Sequence, residues 1–370
     1  MKIASFNIEN IFHRDRGLMK KTVSHSVTSW IRELERLMNK ASRKSSDYIR
    51  MRELSFLLGF QQSALDAYAI MRRKAGSLYV RRANLTHEYK ASHLSNWNGW
   101  IKMNTEPINE IAIQNKARVI IEANPDILLL QEVEDRQSLV EFNQHYLPDG
   151  VKFTEIMVLP GNDSRGLDLG IMAKNGYKIE FVKSHVNDFY KGEKYFDKDF
   201  QEYEILTPQG DTVRLMSAHL HETGADKTSS DDQRKIQAYL IAEAYNETLA
   251  KGNTKIVVAG TLNAPSYCDS LSPLIQETNL NLLKKHPSFN LDLELGMDAG
   301  FHSLGAYKMG SNSRQHNHLL VSPKLFNSIK SSGLNRKAVW PKRKDKYQVY
   351  PTLQTEFQQA SSHPLIWVEI

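Results

Sequence analysis

Residues 256–263 read Ile-Val-Val-Ala-Gly-Thr-Leu-Asn, and this stretch decides the fold class. The apolar run is typical of a buried strand, and the glycine after it predicts a turn. Thr261 and Asn263 therefore stand at the carboxyl end of a buried strand. Because layered α/β folds bind ligands and metals at such strand ends, the stretch predicts an α/β fold with a site beside these two residues.

The composition sets the outer bounds on fold and location. At 370 residues the chain is long enough for two average domains or for one large sandwich with an insertion. No apolar run approaches the roughly 18 residues of a membrane span. The first strand pattern begins at Lys2, which leaves no room for a signal peptide, and a single cysteine excludes an internal disulfide framework. We therefore expect a cytoplasmic protein without a membrane partner.

Positive charge is concentrated in residues 13–105. This segment holds 18 Lys and Arg against 7 Asp and Glu, a local surplus of 11, whereas the whole chain has a net charge of +6. The basic residues include Arg72, Arg73, Lys74, Arg81 and Arg82. A basic segment on an acidic body predicts a polyanionic partner, with a solvated helical face as the alternative.

Hydrophobic periodicity gives a coarse order of elements. Apolar residues at three- and four-residue steps predict helices near Val27, Tyr48 and Leu65, which we expect to form a small helical core of their own. Outside this segment we predict strands at 2–8, 126–132, 152–159, 167–173, 178–186, 202–207, 212–219, 256–260, 316–322 and 364–370, and helices at 110–123 and 230–250.

Six further motifs come in a fixed order along the chain. They are Ser5-Phe6-Asn7-Ile8-Glu9-Asn10, Leu128-Leu129-Leu130-Gln131-Glu132-Val133, Asn162-Asp163-Ser164-Arg165-Gly166-Leu167-Asp168, Ser217-Ala218-His219-Leu220, Arg314-Gln315-His316-Asn317-His318-Leu319-Leu320-Val321-Ser322 and Ser362-His363-Pro364. Together with residues 260–263, which would read G-D-x-N if Thr261 were aspartate, they resemble the motifs of the endonuclease/exonuclease/phosphatase superfamily, the DNase I-like phosphoesterases.

The resemblance implies an architecture. It covers residues 1–12 and about 106–370 and implies an α/β (α+β) fold, a four-layered α/β/β/α sandwich with one cleft at the strand ends. Residues 13–105 have no counterpart in the minimal fold of that family. We interpret them as an inserted basic α-helical subdomain on the cleft side, with the capacity to contact a protein partner.

The resemblance also implies roles for the matched residues. Glu132 is expected to bind Mg²⁺ or Mn²⁺ with Asn7, and His363 to contact the scissile phosphate and take part in proton transfer. Catalytic roles fall to His219, His363, Glu132 and Asn263, and substrate contacts to Asn7, Arg165, Asn263 and Asn317.

Three positions depart from the family pattern. Thr261, Asn317 and Ser362 each stand where the family has aspartate, which leaves Glu132 as the one carboxylate of the expected site. Losing a general base commonly lowers a rate by about 10²–10⁴-fold, and neutral oxygens hold Mg²⁺ less strongly than carboxylates. Two alternatives stay open. Either Asp269 or Glu9 supplies the missing carboxylate, or His316, Asn317 and His318 bind a different metal.

Three functions are compatible with these observations. The first is a metal-dependent phosphodiesterase, nuclease-like, with a degenerate active site. The second is a catalytically inactive member that binds nucleic acid or phosphate as a subunit of a larger system. The third is a phosphatase on a small phosphoester. The basic segment favours nucleic acid, contacted through its backbone because no sequence-reading motif is present.

Overall fold

A computed structural model describes residues 1–14, 25–60, 69–73, 76–77, 99–103, 106–163, 165–190, 192–291, 316–341 and 347–370. Within these residues the strands are β1 (Lys2–Asn7), β2 (His13–Arg14), β3 (Ala69–Arg73), β4 (Gly76–Ser77), β5 (Gly99–Met103), β6 (Glu106–Pro107), β7 (Ile127–Val133), β8 (Glu155–Leu159), β9 (Asp168–Ala173), β10 (Lys178–Ser184), β11 (Phe189–Tyr190), β12 (Glu193–Lys194), β13 (Asp199–Leu206), β14 (Thr212–His219), β15 (Ile256–Thr261), β16 (Asn281–Leu282), β17 (Phe289–Asn290), β18 (Asn317–Val321), β19 (Ser331–Asn335) and β20 (Leu365–Glu369). The helices are α1 (His25–Met38), α2 (Ser45–Leu57), α3 (Glu110–Ala123), α4 (Arg136–Tyr146), α5 (Lys227–Ala250), α6 (Ser272–Ile275) and α7 (Pro323–Phe326).

Two sheets form the centre of the fold. The first has seven strands in the order β17-β19-β20-β1-β7-β9-β8, and the second has six in the order β10-β13-β14-β15-β18-β16. One apolar core lies between the sheets. A second core lies between the first sheet and helices α1 to α4, and a third packs α5 against the second sheet. The predicted α/β/β/α sandwich is confirmed.

Alternation along β1 and β7 explains why both faces of the first sheet are buried. Ile3 and Leu129 point into the core between the sheets, whereas Ala4, Phe6 and Leu130 point into the helix-side core. Successive side chains of a strand face opposite sides, so one apolar strand supplies two cores. For β1, these are the two faces that the alternation of residues 2–8 in the sequence predicts.

Helices α1 and α2 pack onto the sandwich and share its helix-side core, so the prediction of a separate helical core was wrong. The Trp30 indole stacks edge-on against Phe12 at 4.7 Å between ring centroids and donates a hydrogen bond to Glu141 Oε1 at 3.1 Å. The outer surface of α4 offers apolar area that a helical pair can cover. Burying that shared area removes more apolar surface from water than a two-helix core could by itself.

Other elements also differ from the sequence prediction. Ala69–Arg73, part of the third helical pattern, is a strand paired with β5, with Met71 opposite Ile101. A short run of apolar and basic residues fits both the helical period and the strand period. Pairing with a neighbouring strand therefore decides which structure forms. Helix α4 and strand β19 were not predicted, although the Asp135 side chain caps α4 by accepting from Ser138 N at 2.7 Å.

Part of the basic segment lies outside the description. Lys74, Arg81 and Arg82 are not among the described residues, and for Arg72 and Arg73 only the backbone is described. In the described part of the chain, no helix is long and apolar enough to cross a membrane.

The Glu134 carboxylate fixes the loop that follows β1. Its Oε1 accepts backbone N–H groups from Ile11 at 2.7 Å, Phe12 at 2.6 Å and His13 at 3.1 Å. Complete burial raises the pKa of Glu134 to about 7, against the opposing effect of these donors. The loop thus depends on a buried acid that titrates near neutrality.

Replacing Glu134 with Gln should flatten the pH dependence of stability. Between the unfolded pKa of 4.5 and the folded value of about 7 the folded protein binds more protons, so its free energy of unfolding falls as pH rises. The slope from this group alone is roughly 1.4 kcal/mol per pH unit. Urea unfolding of the native chain and of Glu134→Gln across this window measures the difference. An exposed control, Glu247→Gln, should keep the native slope; equal slopes in all three proteins would contradict the assignment.

Candidate active site at the strand ends

Four strands bring their carboxyl ends to one edge of the sandwich. β1 runs parallel to β7 in the first sheet, and β14 runs parallel to β15 in the second. Asn7, His219 and Thr261 end their strands, and Glu132 is the next-to-last residue of β7. Asn317 begins β18 and pairs with Thr261 in antiparallel register. The edge of the sandwich therefore gathers most of the residues that the motifs singled out.

A chain of neutral polar side chains forms the floor of this cleft. Asn7 Nδ2 donates to Thr261 Oγ1 at 3.1 Å, and the Thr261 hydroxyl donates to Asn317 Oδ1 at 3.1 Å. His363 Nδ1–H donates to the same Asn317 oxygen at 2.9 Å. Asn7, Thr261 and Asn317 are fully buried. This chain fixes the tautomer of His363, because its Nδ1 must carry the proton and its Nε2 is left as the acceptor.

Glu9 brings a carboxylate to the position beside Ser362. Its two carboxylate oxygens accept from the Ser362 hydroxyl and from Ser362 N, the latter at 3.1 Å, and Oε1 lies 3.7 Å from His363 Nε2. Asp269, by contrast, pairs with Lys235 on the surface and is 81% exposed. Of the two carboxylates considered from the sequence, Glu9 is the one that reaches the cleft.

A second group of charges surrounds Glu132. Arg165 Nη2 lies 3.3 Å from Glu132 Oε1, 2.7 Å from Asp163 Oδ2 and 3.0 Å from Glu222 Oε1. Burial raises the pKa of Glu132, and the Arg165 charge partly offsets this rise. With Glu9, four carboxylates line the cleft, of which Glu132 is the one that occupies a motif position expected to bind metal. Asp163 and Glu222 were not predicted as ligands, because neither lies in a motif position that predicted one and both are distant from Glu132 along the chain.

His219 is enclosed beside this group. It is 3% exposed, and its Nε2 lies 3.8 Å from Glu132 Oε1 and 3.9 Å from Glu222 Oε1. Burial lowers the pKa of His219 well below its ordinary value, and the charges of Lys198 and Arg165 lower it further. The ring is therefore a neutral imidazole at neutral pH, suited to accept a hydrogen bond or to bind a metal.

The ligand atoms of Glu132, His219 and Glu222 all lie within 4.8 Å of one another, and in the described residues this is the one cluster suited to a metal ion. The alternative pair His316 and His318 does not form such a cluster, because His318 Nε2 hydrogen-bonds the carbonyl oxygen of Ala264 at 2.8 Å. The sequence did contain a hint of Glu222, which follows His219 by three residues at the end of β14.

Two asparagines assigned to ligands are held by the protein itself. Asn7 Oδ1 accepts Glu9 N–H at 3.0 Å, and Asn7 Nδ2 donates to Thr261 Oγ1 at 3.1 Å. Asn263 Nδ2 donates to the carbonyl oxygen of Leu220 at 2.8 Å. Both side chains shape the cleft by fixing adjacent backbone.

The backbone around the cleft is held in an uncommon conformation. Glu9, Asn10, Glu132 and Asn263 have φ values of 47°, 61°, 61° and 52°, in the left-handed region that non-glycine residues seldom adopt. Each such residue costs on the order of 1 kcal/mol or more. This clustering at one edge of the sandwich is typical of a functional site.

Gly260 allows β14 and β15 to meet closely under the cleft. Its φ is 146°, and a Cβ added there would lie 1.9 Å from the carbonyl oxygen of Ala218. No side chain fits at that distance. Gly260 is thus required because the backbones of β14 and β15 approach each other closely. This approach places His219 opposite Thr261.

Thr261→Val should destabilise the fold through the polar floor. The change keeps the shape of the side chain but removes the hydroxyl, so Asn7 Nδ2 loses its acceptor and Asn317 Oδ1 loses a donor. The expected loss is about 1–3 kcal/mol of unfolding free energy, measured by chemical denaturation. Thr212→Val on the exposed start of β14 is the matched control. A loss at position 261 no larger than that of the control would contradict the hydrogen-bond chain.

Known proteins resemble this chain in fold more than in sequence. No known family profile matches it, and no curated protein does. Similar solved structures include an endonuclease/exonuclease/phosphatase family protein from Bacteroides thetaiotaomicron (15% identity, TM-score 0.46, covering 70% of this chain and 86% of that one). Others are a mannosyl-6-phosphatase from Bacteroides thetaiotaomicron (16%, 0.47, 70% and 91%) and an endonuclease/exonuclease/phosphatase from Bacteroides vulgatus (14%, 0.47, 69% and 89%). Each of these structures is similar to about 70% of this chain at a sequence identity of 14–16%.

Proposed function

We propose that this chain is a divalent-metal-dependent phosphoester hydrolase that acts on nucleic acid through an altered active site. The observation that carries the proposal is the pair of contacts made by the two ring nitrogens of His363. Its Nδ1–H is held by Asn317 at 2.9 Å, and its Nε2 lies 3.7 Å from Glu9. An imidazole with one fixed proton and one open nitrogen beside a carboxylate is equipped for proton transfer.

Glu9 and Asn317 together take the two roles of the aspartate expected at position 317. These roles are to orient the His363 ring and to supply a negative charge beside it. Asn317 orients the ring but carries no charge, so by itself it cannot stabilise an imidazolium. In a protease triad, replacing the orienting aspartate with asparagine lowers the rate about 10⁴-fold. Glu9 supplies a negative charge on the other side of the ring. We therefore expect His363 to accept and return a proton, at a reduced rate, while the phosphate is held nearby.

The described residues fit a divalent cation. Four carboxylates line the cleft, and an anionic phosphate would be repelled from them without a cation. A bound Mg²⁺ or Mn²⁺ would neutralise the phosphate and polarise a bound water. The Glu132 side chain is 11% exposed and lies at the carboxyl end of β7, and we assign it as a ligand. This chain's own residues then position the ion, orient His363 and exclude water at the cleft floor.

Nucleic acid is the substrate class that the charge distribution favours. In α1 and α2, Arg50 is taken up by ion pairs with Glu33 and Glu53, and Lys40 pairs with Asp47. The surplus of residues 13–105 nevertheless remains large, at 18 cationic against 7 anionic residues. Such a surplus binds a phosphate backbone without reading its sequence.

Hydrolysis of labelled single- and double-stranded DNA and RNA, with Mg²⁺ or Mn²⁺, tests the proposal. We expect the native chain to cleave at least one of these polymers and Glu132→Gln to lose about 100-fold or more of the rate. Glu180→Gln, an exposed carboxylate on β10, is the control and should retain the native rate. Binding without cleavage would contradict the hydrolase and favour the inactive nucleic-acid-binding alternative. Hydrolysis of a small phosphomonoester alone would favour the phosphatase alternative.

Charge reversal tests the role of the basic segment. Changing Arg72, Arg73, Arg81 and Arg82 to Glu should weaken nucleic-acid binding at least tenfold and flatten its dependence on salt, because fewer counterions are released. The matched control reverses four exposed lysines elsewhere, Lys178, Lys251, Lys324 and Lys330, for the same change in net charge. Equal losses in both variants would show that net charge alone, and no specific surface, drives binding.

A further inference from the structure

We propose that Glu132, His219 and Glu222 form a mixed nitrogen and oxygen metal site that prefers a first-row transition ion such as Mn²⁺ or Zn²⁺ over Mg²⁺, and that Arg165 competes with the ion for this site. The inference deepens the proposed function, on which its catalytic meaning rests. Its ligand set differs from the one expected from the motifs, which paired Glu132 with Asn7.

The spacing of the three ligand atoms suits one ion. His219 Nε2 lies 3.8 Å from Glu132 Oε1 and 3.9 Å from Glu222 Oε1. Metal bonds to nitrogen and oxygen of about 2.0–2.2 Å place such ligand atoms roughly 3–4 Å apart. Small rotations of the two Glu side chains, one of them half-exposed, bring all three atoms into that range.

His219 points between the two carboxylates without hydrogen-bonding either of them. Both contacts exceed 3.5 Å, although the ring is 3% exposed and lies among charged groups. An imidazole nitrogen that faces two carboxylates from just beyond hydrogen-bonding distance is placed to act as the third ligand of an ion bound between them. Imidazole also shifts affinity from Mg²⁺, which favours hard oxygen ligands, towards transition metals.

The carboxylates around the ring outnumber the cationic side chains that contact them. Glu132, Asp163 and Glu222 all approach the single Arg165 guanidinium. Lys198 Nζ lies 3.5 Å from Glu222 but also 3.4 Å from Asp197, so its charge is shared. A divalent ion between Glu132 and Glu222 would relieve the repulsion between these two acids.

Arg165 occupies the place of that ion. The same Nη2 atom reaches Glu132 at 3.3 Å and Glu222 at 3.0 Å, the two oxygens that the ion would take. Asp163 holds Arg165 independently, through Nη2 at 2.7 Å and Nε at 3.0 Å. The guanidinium can therefore give up both glutamates and keep a partner. Removing Arg165 should accordingly tighten metal binding.

Calorimetric titration of the full chain with Mg²⁺, Mn²⁺ and Zn²⁺, without nucleic acid, tests the site. We expect Mn²⁺ and Zn²⁺ to bind at least tenfold more tightly than Mg²⁺. His219→Ala and Glu222→Gln should each weaken Mn²⁺ binding at least tenfold, and Arg165→Ala should strengthen it severalfold. His221→Ala, a nearby imidazole that pairs with Asp197 at 2.9 Å, is the matched control and should change affinity less than twofold.

Pulsed electron paramagnetic resonance on the Mn²⁺ complex gives an independent readout. A nitrogen coupling from the bound ion should be present in the native chain and in His221→Ala, and absent in His219→Ala. Glu222 is half-exposed, so its variant is expected to fold even if His219→Ala does not. Equal affinity for Mg²⁺ and Mn²⁺, absence of a nitrogen coupling, or no gain in Arg165→Ala would overturn the inference. Tight Mn²⁺ binding with no phosphoester hydrolysis would instead overturn the proposed function and leave the site standing.

Discussion

The hydroxyl of Thr261 joins the two sheets at the active end of the sandwich. It accepts from Asn7 of the first sheet and donates to Asn317 of the second, each at 3.1 Å, inside a floor that excludes water. A buried hydroxyl can do both at once because it is donor and acceptor together. A carboxylate at position 261 would place a hydrogen-bond acceptor against Asn317 Oδ1, which is itself an acceptor and already accepts from His363 Nδ1–H. Threonine at 261 and asparagine at 317 therefore form a matched pair.

Carboxylates reach the cleft from positions where the motifs predict no aspartate. The motif positions 261, 317 and 362 are neutral, yet Glu9 lies against Ser362 and His363, and Glu222 lies against the group around Glu132. In the low dielectric of a buried cleft, the position of each charge matters more than the number of charges.

The sequence predicted most strands of the sandwich because strand periodicity is local and strong, whereas the four layers were implied by the resemblance to the family motifs. It failed for helices α1 and α2, whose apolar faces are plain in the sequence but whose partner, α4, is not. It also failed for β3, where five residues carry too little period to separate strand from helix. For the cleft, motif positions identified Glu132, His219 and His363. Glu222 escaped because its proximity to Glu132 arises from the packing of one sheet on the other.

The sequence by itself determined most of the strands and the location of the motif residues at strand ends, because both depend on neighbours along the chain. Only the tertiary structure decided which charges meet. Glu9 and Ser362 are 353 residues apart, and their contact exists because β1 and β20 pair side by side. Charge interactions fall off over a few ångströms in space and take no account of separation along the chain, so the sequence could supply the carboxylates but not their arrangement.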